Sequence, residues 1–138
     1  MASIHKEIEV TARPDQVWSA IRDIGGLHTR LVPGFVVDTK LEPGARIVTF
    51  GNGIVAREAI VGMDETALRL VWSASSGRLT HHNASVQVFP AGEDRSRIVW
   101  IADLLPDEMR APIEGMIDQG MAVMKTTLDA LGSASKAA

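Results

Sequence analysis

The chain of 138 residues contains no cysteine, which excludes disulfides, thiolate nucleophiles and any metal site that needs a sulfur ligand. No apolar run approaches the ~18 residues that a bilayer crossing takes. Basic charge is not in excess: 14 Lys and Arg stand against 17 Asp and Glu, a net charge of −3. That balance argues against a nucleic-acid or anionic-membrane surface. The opening MASIHKEIEV has no basic segment followed by an apolar stretch, so no signal peptide is visible and a cytoplasmic protein without membrane insertion is expected. A Gly-rich phosphate loop, a nucleophile elbow and a histidine pair at metal-ligand spacing are missing as well. His81 and His82 are adjacent on an expected strand, so they point to opposite faces rather than to one metal. Neither a metal nor another cofactor is expected.

What is present is an order of elements. Ser3 to Thr11 alternates apolar and polar residues and reads as a strand. Pro14 and Asp15 then suit the first turn of a short helix, whose apolar stripe is Val17, Trp18, Ile21 and Ile24. Gly25-Gly26 ends it, and a second short helix is expected over Leu27 to Val32, stopped by Pro33-Gly34. Six strands follow over 35–41, 45–50, 54–61, 67–74, 79–89 and 97–104, joined by links short enough only for antiparallel neighbours. Gly51-Asn52-Gly53 is a tight hairpin signal, and Gly62 to Thr66 is expected to turn the fourth strand into the fifth. Pro106 to Leu131 carries Met109, Ile113, Met116, Ile117, Val123, Met124, Leu128 and Leu131 at helical spacing. Pro112 marks a kink or a later helix start. The expected fold is therefore α+β: a curved antiparallel sheet of about seven strands wrapped around one long C-terminal helix. A single domain over 1–138 is expected, with 132–138 (GSASKAA) a frayed tail. A homodimer stays open.

A curved sheet that grips a single helix leaves a hollow between them, and strand parity indicates which residues face it. On the fifth strand Leu68, Leu70, Trp72 and Ala74 share a face. On the sixth, His82, Ala84, Val86 and Val88 oppose His81, Asn83, Ser85 and Gln87. Glu58 shares its face with Ile54, Ala56 and Ile60, although the other face of that strand is apolar too. If the apolar rows face the hollow, Glu58 and His82 are its titratable groups; either could equally be a half-exposed strand residue. Asp103 lies between two apolar rows and could fall on either side. Trp72 and Trp100 serve a core as readily as a ligand, while Trp18 is expected to anchor the first helix. Gly115 and Gly120 sit inside the long helix, either for close packing on the sheet or to leave room for a ligand.

Three runs then carry a resemblance: Pro14 to Asp23 (PDQVWSAIRD), Leu31-Val32-Pro33-Gly34, and Arg57-Glu58 ahead of Asp64-Glu65. Together with Ile98-Val99-Trp100 and Leu104-Leu105-Pro106, they resemble the START-like, polyketide-cyclase/dehydrase group of the helix-grip (SRPBCC) superfamily across essentially the whole chain. The resemblance implies a hydrophobic small molecule bound between sheet and C-terminal helix. Gly77 to His82 is similar to the latch loop and following strand of the plant abscisic-acid receptors, a distant branch. There Glu58 falls at a cavity carboxylate and His82 at a cavity aromatic. Leu31 stands where the cyclase-like group often has tryptophan, close to the receptors' carboxylate-binding lysine. Gly51-Asn52-Gly53 is shorter than the receptors' gating loop.

Two functions follow. The first is binding or transfer of a polyketide, lipid or aromatic metabolite, with Leu31, Glu58, Trp72, His82, Asp103, Met116, Gly120 and Met124 as ligand-binding candidates. The alternative is a cyclase- or dehydratase-like enzyme using Glu58 and His82 as acid and base, which needs both within hydrogen-bond reach of one substrate. Polar groups locked to one another favour binding; a dry, free carboxylate favours the enzyme.

Overall fold

In a computed structural model, which describes residues 2–137, the chain forms seven strands, β1 (Ala2–Val10), β2 (Val36–Glu42), β3 (Ala45–Phe50), β4 (Val55–Asp64), β5 (Arg69–Ser75), β6 (His81–Pro90) and β7 (Ser96–Leu105). They build one sheet in the order β1-β7-β6-β5-β4-β3-β2, every pair antiparallel. Two helices complete it: α1 (Pro14–Arg22) and α2 (Arg110–Ala137). Between α1 and β2 the chain makes a 3-10 turn over Ile24–Gly26 and a π turn over Leu27–Leu31. This is the expected helix-grip architecture.

Local chemistry sets the element ends. Pro14 opens α1 and the Gln16 side chain takes the Arg13 amide at 3.1 Å, satisfying one of the donors a helix start leaves free. Trp18 is buried, and its indole N–H donates to Glu65 at 2.7 Å, pinning α1 to the β4–β5 turn. The helical face of α2 buries Ile117, Met121, Met124 and Leu128, a run at i, i+4, i+7 and i+11.

Three local expectations are corrected. β4 does not end at Val61: a bulge between Ile60 and Gly62 absorbs the extra residue and the strand continues to Asp64. The turn falls after it, where Asp64 Oδ1 accepts from the amides of Thr66 and Ala67, both at 2.9 Å. The long helix begins at Arg110 rather than Pro106, after a 3-10 turn over Asp107–Met109, so Pro112 sits in its first turn. Its far end, at Ala137, lies within the segment 132–138. Gly132 is buried there against Thr11, whose carbonyl a side chain would overlap; the last position of that segment, 138, lies outside the described residues. No described helix is long and apolar enough to cross a membrane.

Candidate functional site: a cavity between sheet and helix

The concave face of the sheet and α2 enclose a cavity of about 300 Å³. Its deep walls are Ile21 from α1, Leu70 and Trp72 from β5, Val86 from β6, and Ile117 and Met124 from α2. Two edge-to-face aromatic pairs stiffen the lining: Trp72 with Trp100, centroids 5.9 Å apart, and Phe35 with Phe50 at 5.4 Å. Exposed lining residues mark the mouth, namely Ile54, the Gly77-Arg78 turn and Pro112 at the start of α2.

The buried charges on this wall are engaged with one another. Glu58, on β4, accepts from Arg46 Nε at 2.8 Å, and both side chains are more than nine-tenths buried. The pairing is fixed by the β3–β4 hairpin, whose register sets Arg46 directly across from Glu58. Arg46 also donates to the Ile24 carbonyl at 3.3 Å and lies 5.7 Å from the Trp72 ring centre, so the guanidinium joins the sheet to the segment after α1. Burial first, and the charge of neighbouring His81 second, push the His82 imidazole below its ordinary value. The ring is therefore neutral near pH 7. Among the described residues, the buried side-chain atoms without a hydrogen-bond partner are His82 Nδ1 and Trp100 Nε1, both on lining residues. No three His, Asp or Glu side chains among the described residues converge on a point where a metal could sit.

Of the positions singled out in the sequence, Leu31, Glu58, Trp72, His82, Met116 and Met124 lie on the cavity wall. Two do not. Asp103 faces the other side of the sheet, where it accepts from Ser3 Oγ at 2.6 Å. The register explains this: His82 pairs with Leu104, so the cavity row of β7 is Leu104, Ala102, Trp100 and Ile98. Gly120 leaves no room for a ligand, since a Cβ there would lie 3.0 Å from the Phe35 ring and 3.3 Å from Trp100. Its companion Gly115 meets nothing and faces solvent. Sequence reasoning missed Arg46, Phe35, Phe50 and Arg78. Arg46 had a usable signal, because counting back from the Gly51-Asn52-Gly53 turn places it across from Glu58.

Residues 1–130 match the family model described as polyketide cyclase/dehydrase and lipid transport. The chain belongs to that family. The solved structures that this chain resembles share its fold over most of their length. XoxI from Bacillus cereus superposes with a TM-score of 0.82 at 19% identity, covering 93% of this chain and 96% of that one. A START superfamily protein from Mycobacterium smegmatis gives 0.73 at 15% identity, covering 95% and 97%. Norcoclaurine synthase from Thalictrum flavum, in complex with dopamine and hydroxybenzaldehyde, gives 0.72 at 22% identity, covering 94% and 85%. Among curated proteins no sequence matches. The chain therefore shares its fold with a START superfamily protein.

Proposed function

We propose that this protein binds, and delivers or sequesters, a small hydrophobic molecule in the cavity between its sheet and α2. The observation that carries the reading is the state of the wall: a mostly apolar enclosure whose one inner carboxylate, Glu58, is already closed onto Arg46. Largely apolar sites with a few orienting polar groups are what small-molecule binding requires. An acid/base pair would need both groups within hydrogen-bond reach of one substrate, and the Glu58 carboxylate is already engaged by Arg46 at 2.8 Å. The norcoclaurine synthase complex, with two aromatic molecules on the same fold, supports the reading that aromatic ligands suit this architecture.

The test is native mass spectrometry of freshly purified protein, with any retained small molecule identified. It is joined by titration with an environment-sensitive apolar dye. Saturable binding near one per chain, with a negative heat-capacity change as apolar surface is buried, is expected. Absence of saturable binding across a varied panel of apolar probes would overturn the proposal.

A further inference from the structure

Three polar side chains of the cavity wall, Arg46, Glu58 and His82, are aligned. Register places Arg46 across from Glu58, and Glu58 across from Ala74. Ser73 faces Asn83, so the next residue along, Ala74, comes level with His82. The four residues therefore form one rung across β3, β4, β5 and β6, with the smallest side chain between the carboxylate and the imidazole. Neighbouring strands lie ~4.8 Å apart, so Glu58 and His82 stand about 9.5 Å apart at the backbone. Over Ala74 there is a notch between two polar flanks.

The hydrogen-bonding capacity of those flanks is complementary. Arg46 Nε–H occupies one site on the Glu58 carboxylate; a carboxylate has about four lone-pair sites, so it can accept again. Nδ1 of His82 is sealed in protein without a partner, which leaves Nε2 as the ring nitrogen a cavity ligand can meet. A buried N–H without an acceptor is costlier to the fold than an unused lone pair, so the proton belongs on Nε2. The notch then presents an N–H donor on one side and a carboxylate acceptor on the other. It carries no surplus charge, because the Arg46 cation is paired.

We propose that the cavity selects an uncharged aromatic molecule bearing a hydroxyl group, seated over Ala74 so that its oxygen accepts from His82 Nε2–H and its hydrogen goes to Glu58. A hydroxyl is the small neutral group that both donates and accepts at one atom. The aromatic frame is matched by Trp72, beside the rung, and by Trp100, which packs edge-on against it. A carboxylate in the notch would face Glu58 and lose water there, with Arg46 already paired and the other lining cation, Arg78, at the exposed mouth. The inference deepens the binding function proposed above and rests on it.

The experiment is calorimetric or dye-displacement titration near neutral pH with three probes of one shape: 2-naphthol, 2-methylnaphthalene and 2-naphthoate. Expected is an advantage of about tenfold for 2-naphthol over 2-methylnaphthalene, the scale of one net hydrogen bond, with 2-naphthoate the weakest of the three. His82→Phe, which removes the donor, and Ala74→Val, which fills the notch, should each bring the naphthol-to-methylnaphthalene ratio close to one. Both ratios are read within a variant, so a change in folding that weakens both probes leaves the measure intact. Equal affinity of the two neutral probes in the wild type, tightest binding of 2-naphthoate, or a ratio that survives both variants would overturn the inference. If the apolar dye still binds in those cases, the proposed binding function stands. If dye and all three probes fail to bind, both fall.

Discussion

Glu58 and Arg46 have opposite dependence on being changed singly or together. Removing either partner leaves a desolvated charge without its counter-ion, a loss of about 3–5 kcal/mol for buried pairs. Arg46→Met alone is expected to lower the melting temperature sharply, whereas Arg46→Met with Glu58→Met should recover most of it. Urea unfolding of the two singles and the double, read as a cycle, checks this; additive losses would show that the pair is not coupled. His82 gives a second residue-scale expectation. Its folded-state pKa lies below the ordinary value near 6.5, so above that pH both states are neutral and the residue has no pH-dependent effect. As pH falls below 6.5 the unfolded chain takes up a proton that the folded chain refuses, and stability declines until the folded ring protonates too. Carboxylates held low, such as Glu65 by Trp18 and Asp64 by the amides of Ala67 and Thr66, lose their contribution only at more acid pH. His81, adjacent on the exposed face, repels the same proton. Melting curves of wild type and His82→Phe between pH 7 and 5 should therefore diverge, with the variant less acid-sensitive.

Two glycines of α2 separate packing from propensity. Gly132→Ala drives a methyl group into the Thr11 carbonyl, so it should destabilise despite alanine's better helix propensity. Gly115→Ala meets nothing and should stabilise by up to ~1 kcal/mol. Differential scanning calorimetry on both variants should show opposite signs. The contrast also explains what the sequence made legible. Periodicity disclosed the strands, the hairpin at Gly51-Asn52-Gly53 and the inward face of β6, because alternation is a one-strand property. It could not place Asp103, since both rows of β7 are apolar and only the partner strand's register decides between them. It read Gly62 as a turn residue where the sheet uses it at a bulge. The long-helix glycines look alike as letters; their difference is in what stands opposite, Thr11 for one and solvent for the other.

At the scale of the whole molecule, the hollow is a place where packing contacts are forgone, so the empty fold is less stable than the filled one. A ligand at 100 times its dissociation constant contributes about 2.7 kcal/mol by mass action. Thermal unfolding with saturating 2-naphthol should move the midpoint upward by several degrees for a chain of this size. Arg46→Met with Glu58→Met should keep part of that shift, because most of the lining is apolar. A midpoint insensitive to every probe would show that none binds the folded state in preference to the unfolded chain.

The Ser3–Asp103 hydrogen bond joins residues 100 positions apart, and it is one point on a ladder that pairs all of β1 with β7. Lys125 reaches the Glu9 carbonyl at 2.7 Å and Asp129 accepts the Thr11 amide at 2.8 Å, so α2 clasps the same early segment. On the ribosome, then, the first strand emerges long before anything it can pair with. It must wait, unpaired and half apolar, while β2 to β6 assemble beside one another through their short turns. A nascent chain stalled before β7 has left the exit tunnel should offer β1 to protease or chaperone, and emergence of β7 and α2 should withdraw it.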